Sequence, residues 1–387
     1  LNQGQGTKPL ASTDQTKTSD IQETNMFKRT LLICTALLAC DQASAQGSMT
    51  IFGMMDAGIT YVNNSGGKNK FFFDDGNYYP NMLGFLGQED LGGGTKAVFE
   101  LVNQFSLANG STIPDADGLF NRTAYVGLDS GTLGRLTFGT QYDFMKDQLL
   151  EYDASLYTGG FYNFRDGPFQ ALKIPSNATG SWDFDRVGGS SRVSNSVRYR
   201  SIDYGGFSFG LMYGFGNVAG AVSTDNTVSA ALEYKRGGFG IAAAYTDVKY
   251  PQMDNGHEGI RNWGVGTKYD IGKVLANVLY TNTRNTLTGA EINAIQLGAN
   301  WRITPEWSLG GNYQYMKGNA KLSSNKAHEV TASVMYWLSK RTTLYAEGIY
   351  QRAIGGNGPA TAWINGLLAP SSTGSQILAR IGMATTF

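Results

Sequence analysis

Residues 207–216 read FSFGLMYGFG. Phe207, Phe209, Leu211, Tyr213 and Phe215 are large and apolar, while Ser208, Gly210, Met212, Gly214 and Gly216 between them are mostly small. Successive side chains on a strand point to opposite sides, so this segment has one continuous apolar face and one nearly bare face. The bare face is too thin to form half of a packed core. A chain built from such strands needs an apolar partner on one side and a partner that demands no bulk on the other.

The same two-residue period runs to the last residue. Ile295, Leu297, Ala299, Trp301 and Ile303 alternate with Gln296, Gly298, Asn300 and Arg302, and Val330, Ala332, Val334, Tyr336 and Leu338 obey the same rule. The pattern predicts strands over 48–63, 81–90, 95–107, 119–128, 133–141, 191–202, 207–215, 227–236, 239–248, 261–270, 274–283, 292–303, 307–317, 327–338, 343–352 and 376–387. Connections after even-numbered strands are short turns such as GGG, DSGT, DYGG, IGK, TPE and SKRT. Those after odd-numbered strands are longer, up to residues 142–190 and 353–375. An antiparallel up-and-down meander alternates in this way when its long loops all emerge at one end. So long a sheet must curl up or leave two edges exposed. Closure of 16 strands into a barrel leaves an aqueous lumen. The apolar face then meets lipid and the Gly/Ser face meets water, the polarity of a transmembrane β-barrel. The expected fold is therefore all-β: a transmembrane antiparallel up-and-down barrel.

Composition narrows the class further. The chain of 387 residues carries 31 Lys+Arg and 31 Asp+Glu, and neutrality argues against nucleic-acid binding. With 51 Gly, 21 Tyr, 20 Phe and only 9 Pro it is turn-rich and too aromatic for disorder. Near the start, Lys28 and Arg29 precede an apolar run from Leu31 to Cys40 and the small-residue site Ala43-Ser44-Ala45. This reads as a secretory signal peptide over 26–45, cleaved after Ala45, with 1–25 an upstream extension and 46–387 a single domain. A lipidated Cys40 is the rival reading. Both cysteines, Cys34 and Cys40, lie in this segment, so the mature chain is expected to have no disulfide and no Cys-ligated metal. No cofactor is expected.

At this point the residues resemble a known family, the general porins of Gram-negative outer membranes. The likeness is carried by MTIFGMMDAGITYV, LGFLGQEDLGGGTKAVFELV, NRTAYVGL, GTLGRLTFGTQYD, NSVRYRSIDYGGFSFGLMYGFG, YWLSKRTTLYAEGIYQRA and the terminal Phe387, in order along the chain. The resemblance implies a homotrimer of 16-stranded barrels in the outer membrane, in contact with the lipid bilayer and lipopolysaccharide. Both termini would be periplasmic. Each barrel would be a pore for ions and small hydrophilic solutes, narrowed by a third long loop folded inward.

The longest connection, 142–190, fits that loop. It holds Asp143, Asp147, Glu151, Asp153, Asp166, Asp183 and Asp185 against Lys146, Arg165, Lys173 and Arg186. Strand parity puts Lys96, Arg122, Arg135, Arg198 and Arg200 inside the lumen. Acid on a loop facing base on a wall would set a transverse field that sorts ions by charge. Arg122 and Arg200 fall where the family carries constriction arginines, with Arg135 and Arg198 beside them and Asp143, Asp147 and Glu151 as the loop acids. Met82, Leu86 and Thr140 stand where many relatives carry basic residues, so weak selectivity is expected. Two other functions remain open. Gly206–Gly210 fits G-x-S-x-G around Ser208, as in an outer-membrane barrel enzyme, but Ser208 falls mid-strand and the two histidines, His257 and His328, are distant in sequence. A surface adhesin or structural barrel would place its function in the loops.

Overall fold

The computed structural model describes residues 47–113 and 118–387; the signal-peptide and upstream-extension readings lie outside them. The strands are β1 (Ser48–Ser65), β2 (Lys68–Asp75), β3 (Met82–Asp90), β4 (Thr95–Gln104), β5 (Thr123–Ser130), β6 (Gly134–Gln141), β7 (Val193–Arg200), β8 (Phe207–Gly214), β9 (Thr227–Arg236), β10 (Phe239–Lys249), β11 (Gly259–Ile271), β12 (Val274–Asn285), β13 (Glu291–Arg302), β14 (Trp307–Gly318), β15 (Lys326–Trp337), β16 (Thr342–Ile354) and β17 (Ser375–Thr386). Every pairing is antiparallel, from β3 onward between sequence neighbours, and β1 closes the sheet on β17, with Met54 opposite Thr386 and Val62 opposite Leu378. The result is a closed barrel of 16 strand positions, because β2 and β3 share one.

That shared position is the one departure from the expected strand set. The turn Gly66-Gly67, with φ of 62° and 95°, folds β2 back onto the upper half of β1. The chain then leaves the sheet, and β3 resumes pairing with the lower half. Asp56 and Asn81 pin the gap: Asp56 N–H donates to Asn81 Oδ1 (2.7 Å), and Asp56 Oδ2 accepts from Asn77 N–H (2.7 Å). Three successive phenylalanines, Phe71 to Phe73, hide the alternation of β2 from the sequence.

The outward face is the lipid face. Phe207, Leu211, Leu232 and Ile381 are each more than half exposed, which an aqueous surface would penalise by about 25 cal/mol per Å² of apolar area. Among the described residues no helix is long and apolar enough to cross a membrane; the strands cross it. The bare inner face of β8 is covered by the loop 142–192. A methyl group at Gly210 would overlap the Phe144 ring, one at Gly266 would overlap Tyr152, and one at Gly298 would overlap Ala154. Wall glycines thus form a track on which the loop lies. Around it Phe144, Met145, Leu149 and Tyr152 pack on Ala231, Ala242, Ala244 and Leu279. Within the loop, α1 (Phe144–Leu149) and α2 (Ser155–Thr158) are single turns or little more. Beyond α2 the loop crosses to the far wall, where Phe161 N–H donates to Asn77 O (2.8 Å). Residues 355–374 also fold inward, burying Ile364 and Leu367 against Val62 and Leu378.

Candidate functional site

The loop occupies one side of the lumen and leaves an opening against the other. Bounding it is a cavity of about 360 Å³, lined on the loop side by Tyr142, Lys146 and Asp147 and on the wall by Phe52, Met82, Glu100, Tyr125, Arg122, Arg135, Arg198 and Arg200, among others. Strands β6 and β7 supply most of the cations because their inward positions coincide with Arg135, Arg198 and Arg200.

Arg122 sits one residue before β5, where alternation would point it outward. Being at the strand mouth, it turns inward, and its Nη1 donates to Gln104 Oε1 (2.6 Å). Arg192 donates to the same oxygen from the end of the loop (2.8 Å). Both guanidinium groups lie over the Tyr142 ring, at 5.4 and 5.5 Å, and Lys146 Nζ lies 4.3 Å from it. Three cations therefore share one aromatic ring, each contact favoured by the ring quadrupole. Burial, with Arg122 close by, pulls the Arg192 guanidinium below its ordinary value. Arg198 stacks over Phe144 (4.5 Å) and its Nη1 pairs with Asp147 Oδ2 at 2.6 Å. Burial opposes the Asp147 charge, but Lys146 and Arg198 overcome it and hold the carboxyl below the usual range. Arg200 donates to Gln148 Oε1 (2.9 Å), and Arg135 pairs with Asp129 nearer the short-turn end.

Two of the loop acids expected at the neck lie elsewhere. Asp143 is fully buried: it caps α1 through Met145 N–H (2.9 Å), accepts from Thr246 Oγ1 (3.0 Å) and pairs with Arg186 (2.6 Å). Its charge holds the loop to β10 and does not line the cavity. Glu151 reaches Lys235 (2.8 Å) and Lys268 (3.0 Å) on β9 and β11, outside the cavity lining. Thr140 sits opposite Ala124 on the outward face, so its lack of charge has no bearing on the lumen. Sequence reasoning missed Tyr142, Glu100 and Arg192 as lining or flanking groups. Counting back in twos from Arg198 lands on Arg192, but a register shift between β6 and β7 breaks the alternation on the way, so parity gives no signal there. Ser208 lies within β8 with its Oγ 3.5 Å from Glu233. Among the described residues no group of His, Cys, Asp or Glu could hold a metal.

A family model described as Gram-negative porin matches residues 32–354. The chain belongs to the Gram-negative porin family. This porin is 28% identical to an outer membrane porin protein of Bordetella pertussis, over 84% of this chain and 94% of that protein. It is also 28% identical to outer membrane porin protein 32 of Delftia acidovorans, over 82% and 88% of the two chains. Among solved structures, an anion-selective porin from Comamonas acidovorans superposes with a TM-score of 0.72 at 24% identity, covering 88% of this chain and all of that one. OmpT of Vibrio cholerae, in a trimer form, gives 0.60 at 14% identity, over 88% of this chain and 99% of that one. The porin lies in the outer membrane and forms a water-filled channel for passive diffusion of ions and small hydrophilic solutes. Its family indicates a channel rather than an enzyme.

Proposed function

We propose that this porin is a non-catalytic general diffusion pore that favours small anions and assembles as a homotrimer. The observation that carries the selectivity is the charge balance of the cavity lining. Arg122, Arg135, Lys146, Arg198 and Arg200 are opposed there only by Glu100 and Asp147. With Asp143 and Glu151 spent on holding the loop, the neck keeps an excess of positive charge, and charged linings set pore selectivity. The relative described as an anion-selective porin agrees with this sign. The test is the double substitution Arg122→Ala with Arg200→Ala, read by reversal potentials across a KCl gradient. The potential should move toward cations, more at low salt than at high salt. An unchanged potential in a folded barrel would remove both arginines from the selective section.

The trimer reading is supported by the uneven height of the wall. Strands β5 to β8 have 8 residues each, while β12 to β15 have 12. At about 3.4 Å per residue and about 40° of tilt, 8 residues rise only about 21 Å, short of an apolar band about 25 Å tall. A neighbouring copy would cover that low wall at less cost than lipid. The same reading divides the chain into an upstream extension (1–25), a signal peptide (26–45) and a single barrel domain (46–387), with both termini in the periplasm. N-terminal sequencing of the exported protein should begin at Gln46.

A further inference from the structure

Behind the inward loop, the inner face of β14 to β16 carries polar atoms that the fold leaves without a partner. Ser333 stands directly opposite Gly310 on one side and Glu347 on the other, and Asn312 is the next inward residue after Gly310. Ser333 Oγ, Asn312 Oδ1 and Glu347 Oε2 have no hydrogen-bond partner among the described residues, and all three residues are more than nine-tenths buried. The end of α2 roofs them. A Cβ on Gly310 would stand 2.9 Å from Ser333 Oγ and 2.8 Å from the Tyr157 carbonyl oxygen, and one on Gly159 would stand 3.2 Å from Glu347 Oε2. Glycine at both places therefore keeps carbon out of the space between the loop and these oxygens.

The cluster is rich in acceptors and poor in protons. Thr158 Oγ1 gives its single proton to Ala154 O (2.7 Å), so it must accept from the Asn312 amide nitrogen (2.7 Å), which fixes Asn312 Oδ1 as the atom left over. Asn312 Oδ1, Glu347 Oε2 and the Tyr157 carbonyl can only accept, and Ser333 has one proton to give. Nor is a protein cation left for Glu347. Its other oxygen accepts from Asn77 Nδ2 (2.9 Å), while the three guanidinium nitrogens of Arg380 go to Asp56 (3.0 Å), Asp74 (2.8 Å) and Tyr345 Oη (2.8 Å). A buried carboxylate oxygen without a positive partner or a hydrogen bond is costly. Oxygen ligands suit hard cations, and a single carboxylate among neutral oxygens suits one positive charge, whereas divalent sites gather several acids. We propose that Glu347, Ser333, Asn312 and the Tyr157 carbonyl bind a monovalent cation, sodium or potassium stripped of most of its water, which ties α2 to the wall. None of these residues lines the neck cavity, so the site is separate from the one that sorts permeating ions.

The experiment uses the whole porin in detergent, in sodium chloride or in choline chloride at equal ionic strength, with amide exchange over residues 155–161 as the readout. Choline is too large for the site and controls for screening. A cation held with a dissociation constant of about 10 mM would raise protection roughly tenfold at about 0.1 M sodium. Glu347→Gln keeps the shape of the side chain and should give equal protection in the two salts. Ser333→Ala keeps every charge and should raise the sodium concentration needed for half the effect about fivefold. Glu258→Gln, an equal loss of charge in the connection between β10 and β11, should leave the sodium effect in place. Crystals soaked in rubidium chloride should show an anomalous peak in contact with Glu347 Oε2. Equal protection of the wild-type porin in the two salts overturns the proposal and leaves a proton or a water as the partner of Glu347. A sodium effect that persists in Glu347→Gln overturns it too, as does a rubidium peak found only in the neck cavity.

Discussion

At the neck the decisive residue is Asp147. It is the one loop carboxylate lining the cavity, and it pairs with Arg198 at 2.6 Å while both remain partly accessible to water. A partly exposed pair of this kind contributes little stability, but it masks one wall cation from permeating ions. Asp147→Asn should leave folding intact and free that charge, shifting the reversal potential further toward anions. The effect should be larger at about 0.1 M salt, where the Debye length is about 10 Å, than at about 1 M, where it is about 3 Å. A shift toward cations would contradict the charge balance assigned to the lining. Arg135, Arg198 and Arg200 stand on the inward positions that strand parity gives them, whereas Arg122, also placed inward by parity, precedes β5 and turns in from its mouth instead. What was not legible is which loop acid faces water. Asp143, Asp147 and Glu151 look alike in sequence, and only their partners (Arg186 and Thr246, Arg198, or two lysines) separate them.

The inward loop is held by shape on one side and by charge on the other, and each makes a prediction. Gly266→Leu would drive a side chain into the space Tyr152 occupies, so the loop must lift from the wall while the barrel itself persists. Single-channel conductance should rise and its noise increase; an unchanged channel would mean that the track carries no constraint. Charge predicts a pH window. Burial pushes Asp166 up to about 7, and burial together with Asp185 pushes Asp183 up to about 7. The seated loop therefore binds protons more tightly than the released loop, and its stability falls as pH rises from about 4 to about 7. Asp147 and Glu151 are shifted the other way, by Lys146 and Arg198 and by Lys235 and Lys268, against the effect of burial. Their contribution is present above the ordinary carboxylate range and is lost as pH falls below it. The loop should be held best at about pH 4, where the two windows meet. Amide exchange over residues 166–186, corrected for intrinsic rate, should be faster at pH 8 than at pH 5, and equal protection at both would refute the assignment. The loop's length marked it in the sequence as functional. Its seat was not visible, because a glycine in a bare strand face reads the same whether water or Phe144 lies behind it. For β2 the failure was different: Phe71 and Phe73 point outward while Phe72 packs inward near Val62, and three identical residues show no period.

The barrel as a whole is lopsided, and the low wall belongs to the trimer reading. A carboxylate at Val126 on β5, outward and 59% exposed, would then sit between copies. Val126→Asp should give monomers in mild detergent, whereas Val265→Asp on the taller β11 should leave the trimer mass unchanged. Equal behaviour of the two would place the interface elsewhere. Periodicity made the closed architecture readable, whereas wall height depends on where pairing stops, which bulges and loop anchors decide. One feature of the closure reaches beyond the finished molecule. Gly53 N–H donates to Phe387 O (3.2 Å) and Phe387 N–H donates to Gly53 O (3.0 Å), so the seam with the first strand is made by the last strand, β17, and the residue after it. Until β17 arrives, two rows of backbone groups lack partners, and a bilayer core does not tolerate unpaired backbone. A growing chain can therefore not enter the membrane strand by strand as it emerges. It must be kept in a water-compatible, unseamed form until β17 is present, and a chain that stops before β17 should accumulate at that stage, open along one side.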